Sequence, residues 1–220
     1  MNRRVLFWAG IVSSALTMAG VLLLDRPLAQ WLRASGHENA AFFREGLAAL
    51  DSVSGLAAGH IWWACCVFIA IGAAWLGIRR SALVPRVLVA TGLIDAAAIE
   101  GMILLKGVFG RLRPAQVLES GDWSALWFVG GGSFPSGHSA FYFGLFLPLA
   151  AACPHRWARA VLLAVPVFVV LARIDLARHF LSDVAASAVM VALIAWIVAT
   201  VLQRWLPTPA AHPGQAARDA

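Results

Sequence analysis

His179 and Asp183 stand four residues apart, a spacing that brings two side chains to one face of a helix. A carboxylate against one imidazole nitrogen fixes the tautomer and leaves the other nitrogen free to attack an electrophile. A second histidine, His138, lies in the stretch VGGGSFPSGHSA (129–140), directly after Ser136 and Gly137. Such a histidine can protonate a leaving oxygen as a general acid. Three cations recur near these residues in the sequence: Lys106, Arg113 and Arg173. Arginine can bind phosphate bidentately, and lysine acts as a compact point charge. If a helix begins near Ser136, the Ser136 hydroxyl and the N–H groups of Gly137 and His138 point at one anion, with roughly half a positive charge at the helix end. Glycine at 137 permits close backbone approach. Binding a phosphate is the natural task of this set, and two histidines add the means to transfer it. His37, His60, His155 and His212 lack such company and are read as packing or interface residues.

These residues fall into three patches: KGVFGRLRP from Lys106 to Pro114, PSGH at 135–138, and ARIDLARHFLSD at 172–183. They resemble the type 2 phosphatidic-acid phosphatase family, whose three motifs read K-x6-RP, PSGH and SR-x5-H-x3-D. Here the motifs are Lys106–Arg113–Pro114, Pro135–Ser136–Gly137–His138 and Arg173–His179–Asp183, with every spacing kept. One position departs, because Ala172 stands where the family has serine; the expectation is one fewer hydroxyl donor to phosphate, worth about 1.5–3 kcal/mol. The resemblance implies a six-helix membrane enzyme in which His179 attacks phosphorus to form a phosphohistidine. Asp183 would orient it, His138 would protonate the leaving group, and water would later release phosphate. It also implies that Lys106, Arg113, Ser136, Gly137 and Arg173 hold the equatorial oxygens, where transition-state charge lies. No metal and no cofactor are expected, since the cations belong to the chain.

The elements that must position these residues are apolar. The chain of 220 residues is 61% hydrophobic and 13% charged, with a mean hydropathy of +0.79. Soluble domains are about half apolar and about a quarter charged, so this composition belongs to an integral membrane protein. The fold class expected is an all-α polytopic bundle of six transmembrane helices, near 5–24, 61–78, 87–105, 137–153, 159–174 and 183–203. Pro148 and Pro166 fall inside the fourth and fifth. Residues 1–206 form one domain with its motif core at 106–183, and the Pro/Ala-rich tail 207–220 is expected to be disordered. Between the first two spans, Leu28, Trp31 and Leu32, then Phe42, Phe43, Leu47 and Leu50, recur at helical spacing and suit short helices in the membrane interface, with Trp31 as an anchor. An even number of crossings separates the three patches, which therefore share one side of the membrane.

The net charge of +6 is carried by loops rather than by a basic cluster interleaved with polar sequence, which argues against nucleic acid as a partner. Arg3, Arg4, Arg79, Arg80, Arg86, Arg156, Arg159 and Arg204 recur on one side, which the positive-inside rule makes cytoplasmic; the patches then face the periplasm or exterior of a bacterial inner membrane. Cys65, Cys66 and Cys153 form neither a disulfide framework nor a zinc spacing. Asp95 and Glu100 lie inside the third span and are left outside the site. Asp175 is read as an ion-pair partner of a neighbouring arginine, and Arg111 and Arg178 as solvated charges or a second anion site. The partners expected are a phosphorylated membrane lipid and the bilayer, with no obligate protein partner. Undecaprenyl diphosphate, phosphatidylglycerol phosphate, phosphatidate and lipid A phosphate all suit the motifs. Transfer of phosphate to another lipid, haloperoxidase chemistry and a transporter are the competing functions; a transporter would need inverted repeats or broken helices at mid-depth.

Overall fold

Asn2 opens the first helix, α1 (Arg3–Ala19), by accepting the Arg4 N–H on its side chain at 3.0 Å. The turn Gly20–Leu24 is π-helical and passes without a break into α2 (Asp25–Ser35). In the computed structural model, which describes residues 1–36, 38–79, 82–202 and 205, the chain is all-α, with no strand among the described residues. The remaining helices are α3 (Ala41–Ser54), α4 (Trp63–Ile78), α5 (Leu83–Phe109), α6 (Pro114–Ser120), α7 (Gly137–Ala152), α8 (Arg156–Asp175) and α9 (Leu181–Val201). The expected apolar segments all appear as helices within a few residues. His37, Arg80, Arg204 and the tail from 207 lie outside the described residues.

Helix α7 is central and packs on α5, α8 and α9, while α1 lies against α9, α4 against α5, and α3 against α8. Small side chains make this possible. Ala90, Ala98, Ala151, Ala192 and Ala195 are buried in the cluster that joins α5, α7 and α9, and small residues let helix backbones approach closely in lipid. Large apolar side chains such as Trp8, Leu23, Ile78, Leu104 and Trp157 remain exposed, as a lipid-facing surface requires.

Four stretches are long and apolar enough to cross a membrane: Arg3–Ser35, Leu83–Ser120, Arg156–Asp175 and Leu181–Val201. Helices α4 and α7 are apolar but have 16 residues each, about 24 Å against a hydrocarbon core of about 30 Å. The C-terminal ends of α5 and α8 meet the N-terminal ends of α7 and α9 at one end of the bundle. At the other end Asn2 N–H donates to the Ala151 carbonyl at 2.6 Å, and Arg159 donates to the carbonyls of Ala150 and Cys153 where α7 stops. A cation there satisfies the last carbonyls of a helix.

Two expectations change. The region 27–50 is helical, but α3 does more than anchor: Phe43, Leu47 and Leu50 pack into the cluster of Phe141, Tyr142, Leu145 and Val169. Asp175 makes no ion pair among the described residues. Its Oδ2 accepts the Ala40 N–H at 2.8 Å and its carbonyl accepts the Asn39 N–H at 3.0 Å, so it ties the start of α3 to the end of α8.

Candidate active site

Two loops cross at the end of the bundle and pair along their backbones. Phe128 N–H donates to the Phe109 carbonyl, Gly131 N–H to Gly110, Ser133 N–H to Arg111 and Leu112 N–H to Leu126, at 2.8–3.0 Å. Gly110 ends α5 with φ +47°, a left-handed turn that suits glycine. Gly131 lies so close to Arg111 that an added Cβ would collide with the Arg111 carbonyl. The glycines of 129–132 therefore let the loop press against the end of α5, and this sets the position of Ser133.

Ser133 is the direct partner of His179. Its carbonyl lies 2.8 Å from His179 Nδ1, while the Asp183 Oδ2 atom is 3.6 Å away. A carbonyl only accepts, so Nδ1 carries the proton and Nε2 keeps its lone pair. The expected carboxylate contact exists, but it acts through a layer: the Ser133 hydroxyl donates to Asp183 Oδ2 at 2.5 Å, and Oδ2 also accepts the Phe180 N–H at 2.8 Å. His179 is buried, and burial pushes its imidazole down to about 4; Arg173 and Lys106 act the same way against the opposing pull of Asp183. The ring is therefore neutral at pH 7.

Asp183 has a second oxygen, and Arg111 holds it. Arg111 Nη1 lies 2.5 Å from Asp183 Oδ1 and 2.6 Å from Ser182 Oγ, and Nη2 lies 2.8 Å from Asp25 Oδ2. The Ser182 hydroxyl and N–H donate in turn to Asp25 at 2.5 and 3.0 Å. The guanidinium sits between the rings of Trp127 and Phe180, 4.3 and 4.2 Å from their centroids. Arg111 is 2% exposed, so it is neither a solvated loop charge nor free for a second anion.

The other expected residues gather around His179. Ser136 precedes α7 as its N-cap, with its Oγ accepting the Ser139 N–H at 3.4 Å. The N–H groups of the first turn, Gly137 and His138 among them, have no partner within the helix. A Cβ on Gly137 would stand 3.8 Å from Lys106 Nζ. Lys106 feels the charges of Arg113, Arg173 and Asp183, and Arg173 those of Arg113 and Asp51. Arg173 Nε is buried without a hydrogen-bond partner among the described residues. His138 stands on the first turn of α7 with Nε2 3.0 Å from Asp51 Oδ2. The structure thus brings together Lys106, Arg113, Ser136, Gly137, His138, Arg173, His179 and Asp183 from five helix ends.

The sequence model of the PAP2 superfamily matches residues 86–207. The chain belongs to the PAP2 superfamily. Comparison with curated proteins and with solved structures returns no match. PAP2 members are phosphatases, which supports hydrolysis of a phosphoric ester; the apolar helices and the family are consistent with an integral membrane protein. Ala172, where the PAP2 motif has serine, is fully buried in the apolar cluster with Ile99, Phe141 and Val169.

Sequence reasoning missed Ser133, Arg111, Asp25 and Asp51. The first two lie within patches already singled out, at 129–140 and 106–114, and only their partners were hidden. Asp25 and Asp51 carry no signal in spacing or composition. Asp95 stays outside the site: it is fully buried against Gly144 of α7, and neither carboxylate oxygen has a hydrogen-bond partner among the described residues.

Proposed function

We propose that this PAP2 protein hydrolyses a lipid phosphate monoester or diphosphate through a phosphohistidine, without a metal. The observation that carries the reading is His179: its Nδ1 is held by the Ser133 carbonyl, so a neutral Nε2 is left free beside the charges of Lys106 and Arg173. In the first half-reaction Nε2 bonds to phosphorus as the ester P–O bond breaks, and His138 gives a proton to the departing oxygen. In the second, water attacks phosphorus, the N–P bond breaks, and the proton from water returns to His138. Lys106, Arg113, Arg173, the Ser136 hydroxyl and the N–H groups of Gly137 and His138 supply fixed positive charge to the equatorial oxygens. That charge is the usual source of phosphoryl-transfer catalysis, and it stands in for a divalent ion.

The lipid nature of the substrate is supported by an apolar groove of about 560 Å³ between α1, α5 and α9. Leu105, Phe109, Phe134 and Pro135 line its end, next to Lys106 and Ser136, so an acyl or isoprenoid chain there would reach the phosphate cage from within the bilayer. We read α4 and α7 as spans completed by their flanking residues, making six. The arginines at the far end face the cytoplasm, and the site faces the periplasm or exterior of the inner membrane.

The test is phosphate release by purified protein from four lipids: undecaprenyl diphosphate, phosphatidylglycerol phosphate, phosphatidate and lipid A phosphate. At least one should be hydrolysed in excess EDTA, with inhibition by vanadate. His179→Ala should be inactive while folded, and Asp183→Asn should retain residual turnover. Wild-type-like release by folded His179→Ala, or loss in EDTA restored by one divalent metal, would refute the mechanism.

A further inference from the structure

His138 has a partner that neither the PAP2 motifs nor the matched segment contains. Asp51 lies on α3, 87 residues before His138, and outside residues 86–207. Its Oδ2 atom lies 3.0 Å from His138 Nε2. Its Oδ1 atom accepts the Tyr142 hydroxyl at 2.9 Å, and Ser54 Oγ lies 3.1 Å from the same Tyr142 oxygen. Tyr142 stands one turn after His138 on α7, so α3 and α7 together clamp the carboxylate.

We propose that Asp51, held by Tyr142, is the positioning residue that makes His138 a directed proton donor. The proposal rests on the reading of His138 as general acid. A carboxylate accepts, so the Nε2 proton stays with Asp51 and Nδ1 is the nitrogen turned to the reaction. His179 is the mirror case, with Nδ1 occupied and Nε2 free. During phosphorylation of His179, the Nδ1 proton of His138 passes to the ester oxygen as its bond to phosphorus breaks. During hydrolysis, Nδ1 takes a proton from the attacking water as the N–P bond breaks. Asp51 keeps the Nε2 proton through both steps and fixes the plane of the ring.

The charge balance of the site favours this role over packing. Asp51 also lies within the field of Arg173. A carboxylate beside a phosphate-binding arginine weakens anion binding, which a purely structural residue at this point would do to no advantage. Its service to His138 accounts for its place.

A general acid matters in proportion to the basicity of the leaving group, and this provides the test. Purified wild type, Asp51→Ala, Asp51→Asn and Tyr142→Phe are each assayed on dioctanoyl phosphatidate, which leaves as an alkoxide, and on p-nitrophenyl phosphate, which leaves as a weakly basic phenolate. With Asp51→Ala, kcat/KM on the alkyl ester, which reports the phosphorylation half-reaction and not the hydrolysis step common to both esters, should fall about 10- to 100-fold, part of the roughly 10²–10⁴ that acid–base catalysis supplies. On the aryl ester it should fall less than about threefold, with an equal or lower KM because Arg173 has lost an opposing charge. Asp51→Asn, which keeps an acceptor oxygen, should recover part of the alkyl activity, and Tyr142→Phe should show a smaller loss with the same selectivity. Equal losses on both esters, or no loss on either, would overturn the assignment. Aryl turnover by the variants reports an intact fold and cage, so misfolding cannot imitate the expected result. A wild type that releases phosphate from neither ester would instead end the phosphatase reading on which the assignment stands.

Discussion

Nη1 of Arg111 lies 2.5 Å from Oδ1 of Asp183, and both side chains are shut away from solvent. The same guanidinium reaches Asp25 at the start of α2, so one buried cation joins the π-helical end of α1 to the first turn of α9. The carboxylate behind His179 is therefore placed by a residue of the loop after α5, and its orientation depends on α2.

Arg111→Ala should leave Asp25 and Asp183 buried without their counter-charge, a change that typically costs about 3–5 kcal/mol. Arg111→Lys should recover little of this. A single ammonium cannot serve both carboxylates and Ser182 in the geometry of a flat fork, nor stack between Trp127 and Phe180. Thermal unfolding in detergent should show a large drop in Tm for both variants, with phosphate release falling in parallel. A lysine variant with wild-type Tm would remove Arg111 from this role.

The neutral imidazole of His179 makes stability depend on pH. Burial, chiefly, holds the folded ring at about 4, below the ordinary value of 6.5. Its contribution is fully present above pH 6.5 and is lost as pH falls from 6.5 toward 4; over the whole window it amounts to about 3 kcal/mol. His179→Gln, which cannot titrate, should lose less Tm than wild type between pH 7 and pH 4.5. Parallel curves would show that the ring is not held neutral by the fold. The acid limb of kcat/KM above pH 5 should likewise not belong to His179.

Gly131 and Gly132 are neighbours with opposite sensitivities. A Cβ at 131 would meet the Arg111 carbonyl, whereas at 132 nothing lies within 4 Å. Gly131→Ala should push the loop off α5, displace the Ser133 carbonyl from His179 and destabilise the protein by about 1–3 kcal/mol, the usual cost of overpacking. Gly132→Ala should be close to neutral. Equal effects on Tm and turnover would mean that the close approach at 131 does not position the nucleophile.

The proposed orientation can be read with an impermeant thiol reagent. Ser120 and Pro154 are exposed at opposite ends of the bundle. With Cys65, Cys66 and Cys153 replaced, a single cysteine at 120 should react in cells whose outer barrier has been opened, and one at 154 should not. The reverse pattern would put the active site in the cytoplasm. Labelling at both would mean that α7, the one helix between them, does not cross the membrane, against the six-span arrangement.

The sequence alone determined the helices and the chemical inventory. Long apolar runs can satisfy their backbone in lipid only as helices, so the segments from 5–24 to 183–203 were legible before any packing was known. The spacing of His179 and Asp183 and the cationic patches were legible for a similar local reason, since each depends on neighbours within one turn or one loop. Tertiary structure decided which atom each functional group faces. The Ser133 carbonyl rather than the carboxylate touches Nδ1, because Gly131 lets one loop press against another. Arg111 became internal because aromatic rings from two further segments enclose it and two carboxylates neutralise it. Asp51 met His138 only because α3 folds over α8 and α7. Such contacts join residues tens of positions apart through single polar atoms, and neither periodicity nor composition carries a trace of them.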